Sequence, residues 1–186
     1  EADRDRVAYQ AMKQLVFSRH PMRHPIIGHL SVLQGIQRKD VLDFYKSRYI
    51  PQNMIFVVAG DVKTPQVFED VLANFENFER PRDTAPSLLE EPEQASPRTA
   101  RLEMPGATTK FSVAWPTVEL QHPDLYPLDV ASYLLTNGDS SRITKRLTVD
   151  EPLAVGVDSA SYTPGFVKGW FQVEVECRPE NVEKCR

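Results

Sequence analysis

Residues 49–62 read YIPQNMIFVVAGDV and carry the clearest structural signal in the chain. Pro51 ends the helix that precedes it, because proline cannot continue a helix interior. Residues 54–59 are apolar at every position, which is typical of a central strand covered on both faces. Gly60 and Asp61 then end the run as a plain strand exit. The stretch predicts a helix end, a buried strand and a turn, in that order.

Helical periodicity lies on both sides of this predicted strand. Upstream, apolar residues recur at spacings of three and four over residues 3–19, around 30–33 and over about 39–49. Downstream, Thr64 precedes Pro65, as an N-cap hydroxyl precedes a proline at the first helical position. The first half of the chain is therefore predicted to form three helices, a strand and a helix.

The second half of the chain contains four stretches with strand patterns. Apolar residues alternate over 100–104 and 111–115 on either side of a Pro-Gly turn, which predicts an antiparallel pair. Two further strands are predicted over 154–161 and 166–176, again joined by a Pro-Gly turn.

Helical stretches lie between and after these strand pairs. The first covers about 124–136, where Pro127 is tolerable only in the first turn, and a short one lies around 143–147. Pro179 begins another. This order of elements indicates the α+β class and not regular βαβ winding.

A stretch rich in proline and glutamate, residues 81–99, separates the two halves. It has no periodicity, which predicts a semi-rigid, extended, acidic linker. A charge run of this kind is more often a solvated spacer than a docking segment, and we expect a spacer. The predicted domains are therefore 1–79 and 98–186, joined by a linker over 80–97.

The composition excludes several functional classes. With 41% hydrophobic and 26% charged residues over 186 positions, the chain has a globular composition. A net charge of −4 without a basic block argues against nucleic acid as a partner. No run approaches the ~20 apolar residues of a membrane span. Two cysteines are too few for a disulfide scaffold or a four-cysteine metal site.

The four histidines give no metal-ligand pattern. His20 and His24 lie four apart, but a proline follows each of them, so they cannot share one face of a helix. No carboxylate or cysteine lies nearby at ligand spacing, and His29 and His122 are isolated. We expect structural roles for all four.

Two further patterns are explained by local structure and indicate no active site. Ser140 and Ser141 lack the G-x-S-x-G elbow of a nucleophile, so a loop with a helix N-cap is the better interpretation. Gly60 and Asp61 follow a predicted strand but lack the glycine spacing of a phosphate-binding turn.

The two cysteines, Cys177 and Cys185, are eight residues apart. They could pair in an oxidising compartment if their Cα atoms approach within ~7 Å. A strand end and a following helix seldom align two Cβ vectors for a disulfide, so we predict free thiols, with Cys177 buried and Cys185 exposed.

Several segments of the chain match, in order, a known set of short motifs. Together they resemble the pitrilysin/insulinase family of zinc metallopeptidases. The segments are HPMRHPIIG at 20–28, IQRKDVLDFY at 36–45, YIPQNMIFVVAGDV at 49–62, LLTNGDSSRI at 134–143, and FQVEVE and PENV at 171–176 and 179–182.

This resemblance carries implications for fold, partners and location. It implies mixed, mainly antiparallel sheets with helices packed on one face. Residues 1–79 would be the C-terminal part of one peptidase-like domain, and 98–186 a second, truncated one. The implied partners are a peptide substrate and the catalytic half of the same protein, and a homo-dimer stays open. Many bacterial relatives are exported, which favours the bacterial periplasm over the cytoplasm.

The catalytic residues of the resembled family are missing from the chain. Its zinc motif, His-x-x-Glu-His, does not occur, and by register the third zinc ligand falls upstream of Glu1. The arginine and tyrosine that hold substrate in the family correspond to Thr148 and Val155 here, and neither Arg146 nor Gly156 restores them. We therefore assign no catalytic residue, no metal ligand and no cofactor to this chain, leave substrate-binding residues unassigned, and expect zinc only in the parent protein.

Two functional interpretations follow from the resemblance. The first is a non-catalytic portion of a zinc metalloendopeptidase, inactive by itself, that helps to form a peptide-enclosing chamber. The alternative is a catalytically inactive peptidase-like scaffold or a core subunit of a larger complex. An intact zinc motif upstream would favour the first interpretation.

Overall fold

The computed structural model of the chain describes residues 3–77 and 88–186. It divides into two compact units: unit 1 combines Glu1–Ile26 with Leu88–Arg186, and unit 2 is Ile27–Ser87. The first 26 residues thus pack with the C-terminal half of the chain.

The predicted domain boundaries are a different kind of division. They place 1–79 and 98–186 in two peptidase-like domains, with 80–97 between them, and they stay a prediction. Residues 80–87 of the predicted linker lie outside the described residues. Residues 88–97 form neither helix nor strand and belong to unit 1.

The described residues contain short helices and one small sheet. None of these helices combines the length and the apolarity needed to span a membrane. A π-helical turn, Lys145–Asp150, continues the helix α6, and short 3₁₀ turns occupy Pro21–Arg23, Pro51–Asn53 and Pro179–Asn181. The elements are α1 (Arg4–Val16), α2 (Leu30–Gly35), α3 (Arg38–Arg48), α4 (Thr64–Phe75), β1 (Thr109–Pro116), α5 (Leu125–Thr136), α6 (Arg142–Thr144), β2 (Ala154–Tyr162), β3 (Trp170–Cys177) and α7 (Val182–Cys185).

A three-stranded antiparallel sheet in the order β1-β3-β2 forms the centre of unit 1. The predicted hairpin of the last two strands is confirmed, with Tyr162 opposite Trp170 beside the turn. Strand β3 lies in the middle and is the most buried of the three, because it carries apolar residues and has a strand on each side. The α+β class is confirmed by this mixture of helices and antiparallel strands.

The predicted strand over 100–104 is wrong. These residues form no strand, and β1 pairs instead with β3 along its whole length. Strand β1 pairs with β3 and not with residues 100–104, because β3 is the longer and more buried partner. Val113 of β1, for example, lies opposite Val173. Cross-strand apolar pairs of this kind stabilise a sheet more than a short exposed turn does.

Helix α1 contacts strand β1 and contributes to the core of unit 1. The Asp3 carboxylate caps its N-terminus by accepting hydrogen bonds from two backbone N–H groups of the first turn. The helix ends at Val16, because the next residue is extended and places its ring in the core. There Phe17 meets Trp170 edge-on, with 5.7 Å between ring centroids. The predicted helix over 3–19 is thus confirmed, but the observed helix ends three residues earlier than predicted, at Val16.

Helix α5 packs a polar stripe against strand β2. Ser132 and Thr136 are buried, and the hydroxyl oxygens of Thr136 and Ser159 lie 2.8 Å apart. The Ser159 hydroxyl also donates to the carbonyl of Ser132 at 3.0 Å. Asn137 and Gly138 end the helix as predicted, and Gly138 has a φ of 85° that favours glycine. The buried polar groups are therefore hydrogen-bonded to one another.

Unit 2 contains the main error of the sequence analysis. Residues 54–59 form no strand, and the Ile55 and Val57 side chains are 91% and 86% exposed. A strand forms only where a neighbouring strand accepts its backbone hydrogen bonds, and the described part of unit 2 contains no second strand. The predicted central strand is therefore wrong for this structure, although the helices α2, α3 and α4 lie close to where they were predicted. Helix α4 begins one residue earlier than predicted, with Lys63 and not Thr64 at the N-cap position.

Candidate functional site

His20 is a structural histidine. Its side chain is 2% exposed, and its ring stacks on Phe166 with 5.9 Å between centroids. The N–H of Met22 donates to Nδ1 of His20 at 3.2 Å, which closes the turn after α1. Nε2 is buried and has no hydrogen-bond partner in the structure. The ring fills space beside Phe17 and caps its own turn, as the sequence analysis expected.

The other histidines are not gathered into a site. His122 repeats the arrangement of His20, because its Nδ1 accepts a hydrogen bond from the N–H of Asp124 at 3.1 Å. His24 and His29 are exposed. Among residues 3–77 and 88–186, no three histidine, cysteine or carboxylate side chains come together as a metal-binding group. The residues described here do not fit a catalytic zinc, and the predicted absence of zinc from the chain remains a prediction.

The two serines of the loop after α5 serve the turn. Ser141 occupies the N-cap position of α6, and its hydroxyl donates to the carbonyl of Gly138 at 2.7 Å. Ser140 is exposed in the same turn. The structure thus confirms the loop and N-cap interpretation of this segment.

The positions that hold substrate in the resembled family carry no donor suited to that role. The Thr148 hydroxyl lies in the π-helical turn and donates to the carbonyl of Thr144 at 2.7 Å. Val155 lies on strand β2 with 64% of its side chain exposed. Neither side chain offers the charged or phenolic donor that stabilises an oxyanion. Arg146 is exposed and lies 3.8 Å from Glu151, so its charge is met by that carboxylate.

Glu91 makes the densest set of polar contacts in unit 1. The N–H and the hydroxyl of Ser18 both donate to its Oε1 at 2.6 Å. The N–H groups of Arg19 and His20 donate to Oε2 at 2.8 Å and 2.9 Å. Three consecutive backbone N–H groups therefore surround one carboxylate, the arrangement that binds anions in backbone nests. The expectation of a solvated spacer is wrong at this residue.

The electrostatics of Glu91 follow from these contacts. Burial alone would raise the pKa of its carboxyl group, but the hydrogen bonds from Ser18, His20 and Arg19 outweigh burial and lower the pKa to about 2. Arg98 adds a cation 4.0 Å from Oε1. Glu91 is therefore ionised throughout the neutral and mildly acidic range.

A second polar cluster joins α1 to the sheet. The ammonium nitrogen of Lys110 lies 2.8 Å from Oδ1 of Asp5, with Glu174 and Glu176 within 3.8 Å. The hydrogen bond that the Lys110 ammonium donates to the Asp5 carboxylate is the main cause that raises the pKa of Lys110. The Arg4 guanidinium donates to the carbonyl of Thr108 at 2.8 Å. The cluster lies beside a surface cavity of about 640 Å³, and its ion pairs tie α1 to the sheet.

Neither polar cluster is recognisable from the sequence. Glu91 is one of three glutamates between residues 90 and 93, and no local pattern distinguishes it from Glu90 or Glu93. Asp5 and Lys110 are more than a hundred positions apart. Only the tertiary fold brings these partners together, so no short motif could have revealed them.

Cys177 and Cys185 are free thiols. The predicted burial of Cys177 is confirmed, whereas Cys185 is half-buried and not fully exposed. Burial and the neighbouring Cys185 thiol raise the pKa of Cys177 to about 11. Cys177 is therefore a poor nucleophile at neutral pH, because the thiolate is the reactive form.

Residues 35–186 match the family model described as Peptidase M16 inactive domain. The chain belongs to this family. The resemblance drawn from the motifs is thereby confirmed, and the chain is an inactive M16 domain of zinc protease-like proteins.

The relatives of this M16 chain include both proteases and a non-protease. It is 30% identical over 138 residues to zinc protease PqqE of Helicobacter pylori, covering 73% of the chain and 31% of that protein. It is 24% identical over 187 residues to the non-peptidase homolog YmxG of the same organism, covering 98% of the chain and 43% of that protein. The chain thus spans less than half the length of these relatives.

The fold of the M16 chain is also found among solved structures. The crystal structure of a protease from Helicobacter pylori superposes with a TM-score of 0.79 at 26% identity, over 96% of this chain and 44% of that one. The small sheet and its helices are therefore the architecture of an M16 peptidase domain.

Proposed function

We propose that this chain is a non-catalytic portion of a zinc metallopeptidase and that it helps to form a peptide-enclosing chamber. The observation that carries the proposal is the match to an inactive M16 domain combined with the absence of a metal-ligand group among the described residues. Thr148 and Val155 support it, since neither can hold an oxyanion. The bond-breaking chemistry would then belong to another part of the protein.

Exposed apolar surface supports the catalytic half of the same protein as the partner. On α5, four large apolar side chains lie at helical spacing on one face and are all more than half exposed. Apolar patches of this kind are uncommon on free soluble domains and mark interfaces. We infer that the remaining chain covers them, with a second copy as the other candidate. The side chains are Tyr126, Val130, Tyr133 and Leu134.

The sheet of unit 1 supports a role in holding peptide. Strands β1 and β2 each pair only with β3 among the described strands, so each leaves one edge open. An extended peptide can add to an open edge through backbone hydrogen bonds. We propose that the chamber wall is built from this sheet. We also propose a location in the bacterial periplasm, which cell fractionation would test.

Metal analysis of the full-length protein tests the proposal. Zinc should be bound stoichiometrically, and a chelator should abolish cleavage of a quenched peptide. His24→Ala and His29→Ala, both at exposed positions, should leave the zinc content unchanged. Loss of zinc from either variant would place a metal ligand in this chain and contradict the proposal.

A catalytically inactive scaffold or core subunit of a larger complex is the second candidate. The similarity to a protein named a non-peptidase homolog favours it, at 24% identity over nearly the whole chain. In that case the full-length protein should bind no stoichiometric zinc, cleave no peptide, and elute with other subunits. The upstream sequence separates the two candidates, since only an intact His-x-x-Glu-His motif supports an enzyme.

A further inference from the structure

We propose that Glu91 is a hinge anchor, which fixes the place where the chain leaves unit 1 for unit 2 and returns from it. The chain leaves unit 1 after Ile26 and re-enters it at Leu88. Glu91 lies three positions beyond the re-entry point, and its partners Ser18 to His20 lie a few positions before the exit. One carboxylate therefore joins both connections at their base.

The contacts of Glu91 are concentrated on this exit segment. Its two oxygens accept four hydrogen bonds of 2.6–2.9 Å, all from Ser18, Arg19 and His20. These partners are 71 to 73 positions away in sequence, so the contact closes a long loop that contains all of unit 2. Loop closure of this length is entropically unfavourable, and a set of charge-assisted hydrogen bonds can offset that cost.

Other contacts hold each of the two segments on α1. On the returning side, the Arg98 guanidinium donates to the carbonyl of Leu15 at 2.8 Å in the last turn of the helix. On the leaving side, the Gln10 side chain donates to the carbonyl of Arg23, and Arg23 donates to the carbonyl of Ser18, both at 2.5 Å. Both segments are thus bound before the chain passes into unit 2.

On the returning side, no helix or strand holds residues 88–97 in place. Residues 88–97 are neither helix nor strand, so their position depends on side-chain contacts. The low pKa of Glu91 keeps the carboxylate charged at every pH above about 4, which makes this a permanent attachment and not an acid-operated switch.

Hydrogen exchange measured by mass spectrometry on the full-length protein tests the anchor. Glu91→Gln removes the charge and turns an amide NH₂ toward backbone donors. We expect at least tenfold faster exchange in peptides covering 17–22 and 88–97, and tenfold faster nicking of 88–97 by a broad-specificity protease. Strand β3 should keep its protection. Glu93→Gln, at an exposed glutamate on the same segment, is the matched control and should behave as the wild type.

Two results would overturn the proposal. Unchanged exchange at 17–22 and 88–97 in Glu91→Gln would show that the contacts do not hold these segments. Loss of protection throughout unit 1, including β3, would show that Glu91 supports the whole unit and not a hinge. Glu91→Asp keeps the charge but shortens the reach, and an anchor should give it an intermediate exchange rate.

Discussion

A single carboxylate, that of Glu91, gives unit 1 a specific dependence on pH. Its pKa is about 2 in the folded chain, below the ordinary value of 4.5. A depressed carboxyl pKa contributes stability that is fully present above the unfolded pKa and is lost as the pH falls toward the folded one. The difference corresponds to about 3 kcal/mol for this nearly buried group.

We therefore predict that Glu91→Gln weakens the attachment of residues 88–97 to residues 18–20 by about 3 kcal/mol at pH 7, by less than half of that at pH 3 and hardly at all at pH 2, while β3 keeps its protection. Amide exchange of residues 17–22 and 88–97 in wild type and variant, measured at pH 7 and at pH 3, checks this. The same variant effect at both pH values would mean that the folded and unfolded carboxyl groups titrate alike.

Gly169 occupies a position where only glycine fits. A Cβ there would clash with the backbone carbonyl of Tyr162. The backbone cannot move away, because the N–H of Gly169 donates to Val118 and its carbonyl accepts from Thr117, both at 2.9 Å. The close approach lies beside the first pair of the β2–β3 hairpin.

We predict that Gly169→Ala destabilises the protein by about 1–3 kcal/mol through this overlap. Gly165→Ala, in the same turn, is the control, since its Cβ would make an ordinary contact of 3.4 Å with Leu120. Denaturant midpoints of the two variants provide the comparison, and equal midpoints would show that the turn relaxes freely.

At the scale of elements, sequence reasoning succeeded where the decisive interactions are local. Helix α5 was predictable from periodicity, from Pro127 in its first turn and from Gly138 after its end. The β2–β3 hairpin was predictable because its two strands are neighbours in sequence. Strand β1 was recognised, but its partner was not, since pairing with β3 spans more than fifty positions.

The apolar run over 54–59 shows the opposite case. Its composition indicates burial, yet no described strand of unit 2 pairs with it. The composition of this run indicates that it pairs with other strands, but it does not indicate which strands these are. The candidate site was less predictable still, since Glu91 acts through residues more than seventy positions away.

We predict that residues 54–59 become a paired strand in the full-length protein. Six apolar residues in succession suit a strand covered on both faces, and their exposure here would then be removed by the rest of the protein. Amide exchange of this segment should be slowed at least a hundredfold in the full-length protein relative to the isolated chain. Equally fast exchange in both would contradict the pairing.

At the scale of the whole molecule, we expect the fold of this region to be independent of a bound metal ion. The described residues contain no metal-ligand group, so their packing should not depend on a bound ion. We predict that dialysis of the full-length protein against a chelator leaves the exchange protection of β3 and α5 unchanged, even if peptide cleavage is lost. Loss of protection in β3 after chelation would place a structural metal within this region.

The discontinuity of unit 1 also affects its biosynthesis. Helix α1 emerges from the ribosome before β3, which supplies Trp170 to the same core and follows about 150 residues later, or about 8–30 s at 5–20 residues per second. During that interval Met12 and Phe17 have no finished core to enter. Unit 2 is synthesised in between. The amphipathic helix α1 therefore stays exposed, and accessible to chaperones, until β3 has been synthesised.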